Sequence, residues 1–258
     1  AQGEIEKAEQ GAIPKLVELS DIKGDLHAHT EWSDGHDSIE KLALAAQDMG
    51  YQYIVITEHS GGRGIAHGLD VKRLREQVAE IKAVNERSMR IRVLTGIEVD
   101  IRADGSLDLP HEILSELDVV IAAVHSAMNQ SEEKMTRRVI TAIENPNVDM
   151  IAHPTCRLIG VREPVAIDLE AVFQAAAKYN KVMEISAMPD RLDLKDTHAF
   201  RARDLGVKLA IGTDAHSIAH LGFVRFGIGV ARRAWCEPQH ILNTLPLEKL
   251  LAVLNRKG

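Results

Sequence analysis

From residue 20 onward the chain alternates between two hydrophobic rhythms. Short apolar runs bounded by turn residues read as strands, and longer stretches with apolar positions every three or four residues read as amphipathic helices. Strands are expected at 24–28, 53–57, 92–99, 119–124, 150–153, 182–186 and 208–212, and helices at 38–49, 71–87, 132–144, 169–179 and 197–205. Ser38 and Asp168 are suited to cap helix N-termini, and Gly50 and Gly206 to terminate helices. Strands that alternate with helices imply a parallel sheet. Seven such strands imply an α/β fold closed, or nearly closed, into a barrel. A doubly wound open sheet is the alternative, but no Gly-x-Gly-x-x-Gly fingerprint follows the first strand. Residues 1–19 are expected to form a short amphipathic helix and a linker lying on the outside of a domain that spans 20–258, with Pro14 interrupting any longer helix. The tail, 224–256, reads as helical with breaks at Pro238 and Pro246.

Composition narrows the class. At 45% hydrophobic but only 3% aromatic, the core must be built from Leu, Ile, Val and Ala. No apolar run is long enough for a membrane span, and the charged N-terminus lacks a signal-peptide pattern. Cys156 and Cys236 are too few for a disulfide framework and suit free thiols in a reducing cytoplasm. The chain begins at Ala1 rather than Met, as a processed chain or an excised domain would. A net charge of −7 argues against nucleic-acid binding by a basic surface alone. Three bound divalent cations would bring that charge close to neutral and concentrate the positive charge in one cleft.

In α/β barrels the chemistry gathers at the C-terminal ends of the strands. His27 and His29, two apart on one strand, face the same way, and Asp34 lies in the loop that follows. The second strand ends in Thr57-Glu58-His59, the third in Gly96-Ile97-Glu98, and the fourth reaches His125. The fifth reaches His153-Pro154 and the seventh Thr213-Asp214-Ala215-His216. Six of seven strand ends thus carry residues that ligate metals. A lone histidine at a strand end is usually a hydrogen-bonded structural group. Six imidazoles and three carboxylates in one barrel mouth would be costly to bury without cations. Mixed nitrogen and oxygen donors suit Zn, Mn or Fe better than Mg or Ca. His36, His67, His111, His198, His220 and His240 fall away from strand ends and read as surface or structural residues.

On these motifs the sequence resembles the polymerase-and-histidinol-phosphatase (PHP) family. Further segments, including Ile22-Lys23-Gly24-Asp25-Leu26-His27, His153-Pro154-Thr155-Cys156-Arg157-Leu158-Ile159 and Pro189-Asp190-Arg191-Leu192-Asp193-Leu194, are similar to the C-terminal PHP domain of prokaryotic family X DNA polymerases. The similarity runs over essentially the whole chain. Cys156 stands where Gly is usual and Ser186 where Asn is usual, which bears on substrate fit.

The resemblance implies a distorted (β/α)7 barrel with a trinuclear metal centre at the C-terminal ends of its strands. It assigns His27, His29, Glu98 and Asp214 to a first metal. Glu98 bridges to a second metal held by His125 and His153, and Asp34, His59 and His216 hold a third. Glu98 and Asp214 are the residues closest to the chemistry. Two close cations lower the pKa of water, which then attacks phosphorus. Arg157, and Arg63 in the Gly-rich loop, are candidates to hold a substrate phosphate. The implied activity is Mn-dependent 3′–5′ exonuclease action at DNA 3′ ends, extending to abasic-site cleavage, with a family X polymerase module as partner. A small-molecule phosphatase, such as one for histidinol phosphate, and a non-catalytic, metal-stabilised scaffold are the alternatives.

Overall fold

A computed structural model describes residues 3–61, 66–87 and 89–254. Seven strands run in chain order: β1 (Gly24–Asp25), β2 (Tyr53–Ile56), β3 (Arg92–Asp100), β4 (Val119–Ala123), β5 (Met150–Ile151), β6 (Val182–Ser186) and β7 (Leu209–Gly212). Each pairs in parallel with the next, giving one sheet ordered β1 to β7. The sheet curls into a nearly closed barrel, a distorted (β/α)7 arrangement. β1 and β7 are joined by a single bridge between Ala28 and Ala215, beyond the ends of both strands.

The seam lower down is closed by a side chain. Buried Asn243 accepts from Ile211 N–H at 2.7 Å and donates to the carbonyls of Gly24 at 2.9 Å and Ile211 at 2.8 Å. It thus stands where a ladder between β1 and β7 would run. The same segment plugs the barrel floor. Leu242 and Leu250 pack with Tyr53, Val55, Leu94, Ile121 and Ala210, the inward-facing residues of the strands. Residues of the opposite parity, such as Ile54, Ile56, Val120 and Ile211, pack against the helical layer instead.

That layer is built from α2 (Ile39–Asp48), α3 (Val71–Asn85), α4 (His111–Leu114), α5 (Glu132–Glu144), α6 (Leu169–Lys178), α7 (Asp196–Asp204) and α8 (Val224–Arg233); α1 (Glu4–Glu9) precedes it and α9 (Leu247–Leu254) lies in the floor segment. Ser38 and Asp168 cap α2 and α6 through their side chains, as expected. Gly50 and Gly206 follow their helices at φ 81° and 80°, which only glycine adopts freely.

Four expectations need correction. β1 and β5 keep only two ladder residues each. β5 stops because the chain turns at His153, whose φ is 28°. The N-terminal helix does not pack on the domain: α1 buries no residue, and Ile5 is 68% exposed. Only from Val17 does the segment join the core, where Val17 N–H donates to the Cys236 carbonyl at 2.9 Å. In the tail α8 ends before Pro238, at Arg233, and Trp235 has φ 60°. Residues 255–256 of that expected helix lie outside the described residues. No helix among the described residues is long and apolar enough to cross a membrane.

Candidate metal centre

The inward parity that builds the apolar floor continues upward into polar residues. On β3 it runs from Leu94 to Glu98, on β6 from Val182 to Glu184, and past β2, β4 and β7 it reaches His59, His125 and Asp214. His153 breaks this parity, and its left-handed backbone turns the ring into the same space. All nine sequence-selected donors come together there.

Glu98 is fully buried at the middle of the group. Its Oε1 is 2.9 Å from His153 Nε2, 3.2 Å from His125 Nε2 and 3.7 Å from His27 Nε2. Its Oε2 is 2.8 Å from His59 Nδ1 and 3.8 Å from His29 Nε2. Asp214 Oδ1 lies 3.1 Å from His29 Nε2 and 3.6 Å from His27 Nε2. Asp34 faces His59 and His216, each at 3.4 Å.

Three sets of donors lie close enough to share an ion: His27, His29 and Asp214; His59, Glu98 and His125; and His29, Asp34, His59 and His216. This grouping differs from the one implied by resemblance in placing His59 beside Glu98 and His29 beside Asp34. The donor chemistry fits divalent cations. His27 Nε2 and His29 Nε2 approach to 3.1 Å, and His29 Nδ1 and His153 Nδ1 are buried without a hydrogen-bond partner. Lone pairs converging in this way are what a cation satisfies.

The electrostatics show how tightly the groups are coupled. Burial alone would lower the His59 pKa, but the Glu98 and Asp34 carboxylates outweigh it and push it up to about 10. Burial, reinforced by the neighbouring His59, drops His29 to about 3. Burial would raise Glu98, yet His125, His59 and His27 hold it well below the usual carboxylate range.

Residues missed in the sequence organise the donors. Glu184, fully buried on the one strand that ends in no expected ligand, accepts from His27 Nδ1 at 2.7 Å and from His153 N–H at 2.6 Å. Asp100 accepts from His125 Nδ1 at 2.5 Å. Each contact fixes an imidazole tautomer with Nε2 free toward the centre. Gly212 makes room for the first: a Cβ there would lie 2.0 Å from Glu184 Oε1 and 2.8 Å from His27 Cβ. Glu58 is buried and raised to about 7 by that burial, and accepts from Thr30 N–H at 3.0 Å and from the Ser33 hydroxyl, tethering the loop that carries Asp34. The available signal was a carboxylate at inward parity within an otherwise apolar strand, as in Val182-Met183-Glu184-Ile185.

The arginines sort differently from expectation. Arg157 donates from Nε to the Arg191 carbonyl at 2.7 Å and from Nη2 to the Leu192 carbonyl. It is Arg191 that reaches the centre, with Nε 3.6 Å from Asp214 Oδ2. Arg63 lies outside the described residues. Cys156 has φ 54°, which accounts for glycine being usual there, and its thiol donates to the Val124 carbonyl at 3.4 Å. Of the histidines set aside, His220 touches the site's periphery, accepting from His216 N–H at 3.3 Å.

Comparison with known proteins bears on this arrangement. The PHP domain family profile matches residues 25–187. The chain is 45% identical over 94% of its length to the DNA polymerase/3′-5′ exonuclease PolX of Bacillus subtilis, and spans only 42% of that relative. It is 33% identical over 85% of its length to a probable phosphatase of Thermoanaerobacter sp., covering 89% of that protein. Its fold resembles a histidinol phosphate phosphatase of Lactococcus lactis, solved with zinc, L-histidinol and phosphate, at TM-score 0.56 and 20% identity over 81% of this chain and 93% of the other. The matched span and these identities show that the chain belongs to the PHP family and is a metal-dependent phosphoester hydrolase.

Proposed function

We propose that the chain is a 3′–5′ exonuclease acting on DNA 3′ ends, the nuclease domain of a family X polymerase, working with three divalent ions, Mn by preference, in the cytoplasm. The observation that carries this reading is Glu98, a buried carboxylate whose two oxygens face different imidazoles. The 45% identity over nearly the whole chain supports DNA as the substrate. The small-molecule alternative has the shared barrel in its favour. The retention of all nine donors weighs against a non-catalytic scaffold.

His27, His29, Glu98, Asp214, His125, His153, Asp34, His59 and His216 would hold the ions. Bound divalent cations supply an activated water and neutralise charge on the phosphoryl oxygens. The chain's own residues prepare the site. Glu184 and Asp100 keep protons on the Nδ1 atoms of His27 and His125. The apolar floor below excludes bulk water. Arg191 offers a guanidinium to a phosphoryl oxygen beside Asp214, and Arg157 fixes the backbone that carries it.

The metal-loaded protein should shorten end-labelled DNA stepwise from the 3′ end and leave histidinol phosphate intact. It should carry about three divalent ions per chain by elemental analysis. Turnover of histidinol phosphate with untouched DNA would replace this reading with the phosphatase one. An ion count of one or fewer would remove the multinuclear centre.

Arg191→Ala should raise KM for DNA by about 10-fold with a smaller change in kcat, the pattern of a contact made in both ground and transition states. Arg157→Ala, which acts through the loop, should cost less. If Arg157→Ala proved the more damaging, the phosphate contact would belong to Arg157.

A further inference from the structure

Beside the metal centre a pocket of about 480 Å³ opens among the segments that follow β2, β3 and β4. Three of its lining residues sit one or two positions past candidate donors: Gly61 after His59, Asp100 after Glu98 and Ser126 after His125. The pocket therefore begins where the donor set ends. The Asp100 carboxylate that holds His125 Nδ1 forms part of its wall. Among the described residues the wall is otherwise apolar at Leu69, Val71, Ile101, Leu109 and Pro110, and carries Asp70 and Asp108 with Arg102.

The opposite flank is basic. Arg191 stands over Asp214, and Arg157 and Arg162 hold the adjoining backbone. The centre thus lies between a side where Arg191 can meet an anion and a pocket whose described lining carries Asp70, Asp100 and Asp108 against Arg102 alone. A phosphodiester lying across it has its charged strand drawn to the arginines, and only a phosphate-free group suits the pocket.

We propose that this pocket receives the terminal nucleoside of the DNA strand, its base against the apolar wall and its free 3′-hydroxyl donating to the carboxylates. The inference rests on the exonuclease reading and adds to it the reason the enzyme acts at an end. A strand that continues past the scissile bond would bring its next phosphate against Asp70, Asp100 and Asp108. In the reaction water adds to phosphorus and the bond to the penultimate 3′-oxygen breaks. That oxygen leaves on the arginine side with a proton, and the terminal unit departs as a 5′-monophosphate.

The test uses the metal-loaded protein hydrolysing bis(p-nitrophenyl) phosphate, with deoxyadenosine 5′-monophosphate and deoxyadenosine 3′,5′-bisphosphate as competing inhibitors. The bisphosphate should inhibit about 10-fold more weakly, despite its greater charge. The double variant Asp70→Asn, Asp108→Asn should close most of that gap. Asparagine at 70 keeps the helix cap that Asp70 gives α3 by accepting from Arg73 N–H at 2.8 Å. Equal or stronger inhibition by the bisphosphate overturns the pocket assignment, as does a gap that survives in the folded double variant. Failure of the same metal-loaded protein to shorten end-labelled DNA from its 3′ end would instead overturn the exonuclease reading, and the pocket assignment with it.

Discussion

Glu98→Gln should fold and lose phosphoester hydrolysis by at least about 100-fold. Glu98 is fully buried and its carboxylate lies within 4 Å of five imidazoles, those of His27, His29, His59, His125 and His153. Glutamine preserves shape and volume, so the packing of β3 survives. It replaces a charged, two-oxygen acceptor with one weak oxygen donor and an NH₂ group that cannot coordinate a cation. Two close cations would then lack the negative charge that offsets their repulsion. Metal content should fall, with the ion near Asp34 and His216 retained, because those residues do not depend on Glu98 for their mutual approach. Circular dichroism and elemental analysis on the same sample separate this outcome from unfolding. Full metal content with near-normal turnover would end the bridging assignment.

Asn243→Ala should destabilise the fold by about 3–5 kcal/mol, because three buried backbone groups lose the amide that bonds them across the seam at once. Those groups are Ile211 N–H, Ile211 C=O and Gly24 C=O. Asn243 is fully buried, so these groups have no bulk solvent to turn to. For a chain of this size the loss corresponds to a fall in Tm of about 10 °C. Thermal and denaturant unfolding of the metal-free protein isolate the effect from metal binding. A change below about 1 kcal/mol would mean that the seam is held by something other than this amide.

Much of the barrel was legible because its strands are short apolar runs between amphipathic helices. The donors were legible because ligands in such a barrel must lie where strands end. What escaped the sequence depended on partners remote in the chain. Glu184 and His27 are 157 residues apart, and the apolar strand around the glutamate signals that it is buried but not which imidazole it holds. β1 and β5 looked longer than they are because their polarity continues as a strand's would. Past β1, His27 N–H donates to the Asp25 carboxylate and Ala28 N–H to the Thr57 hydroxyl, and past β5, His153 N–H donates to the Glu184 carboxylate, each in place of a ladder carbonyl. Arg157 was singled out for its nearness to His153 in sequence, whereas the backbone path at 191–192 brings the other guanidinium to the centre. The N-terminal helix has an apolar pattern but buries none of its residues.

The packing of Glu184 against Gly212 ties together three positions that lie far apart in the chain. Any side chain at 212 collides with the carboxylate, any shorter acid at 184 loses its reach to His27, and any other residue at 27 strands a buried charge. No one of the three can drift alone. Change at this spot is epistatic, and a neutral path away from the present trio must pass through a simultaneous double replacement. Positions on the exposed rim, such as Val161, 82% accessible, carry no such constraint. Divergence in what the barrel accepts can therefore run through its rim loops while the buried trio stays fixed.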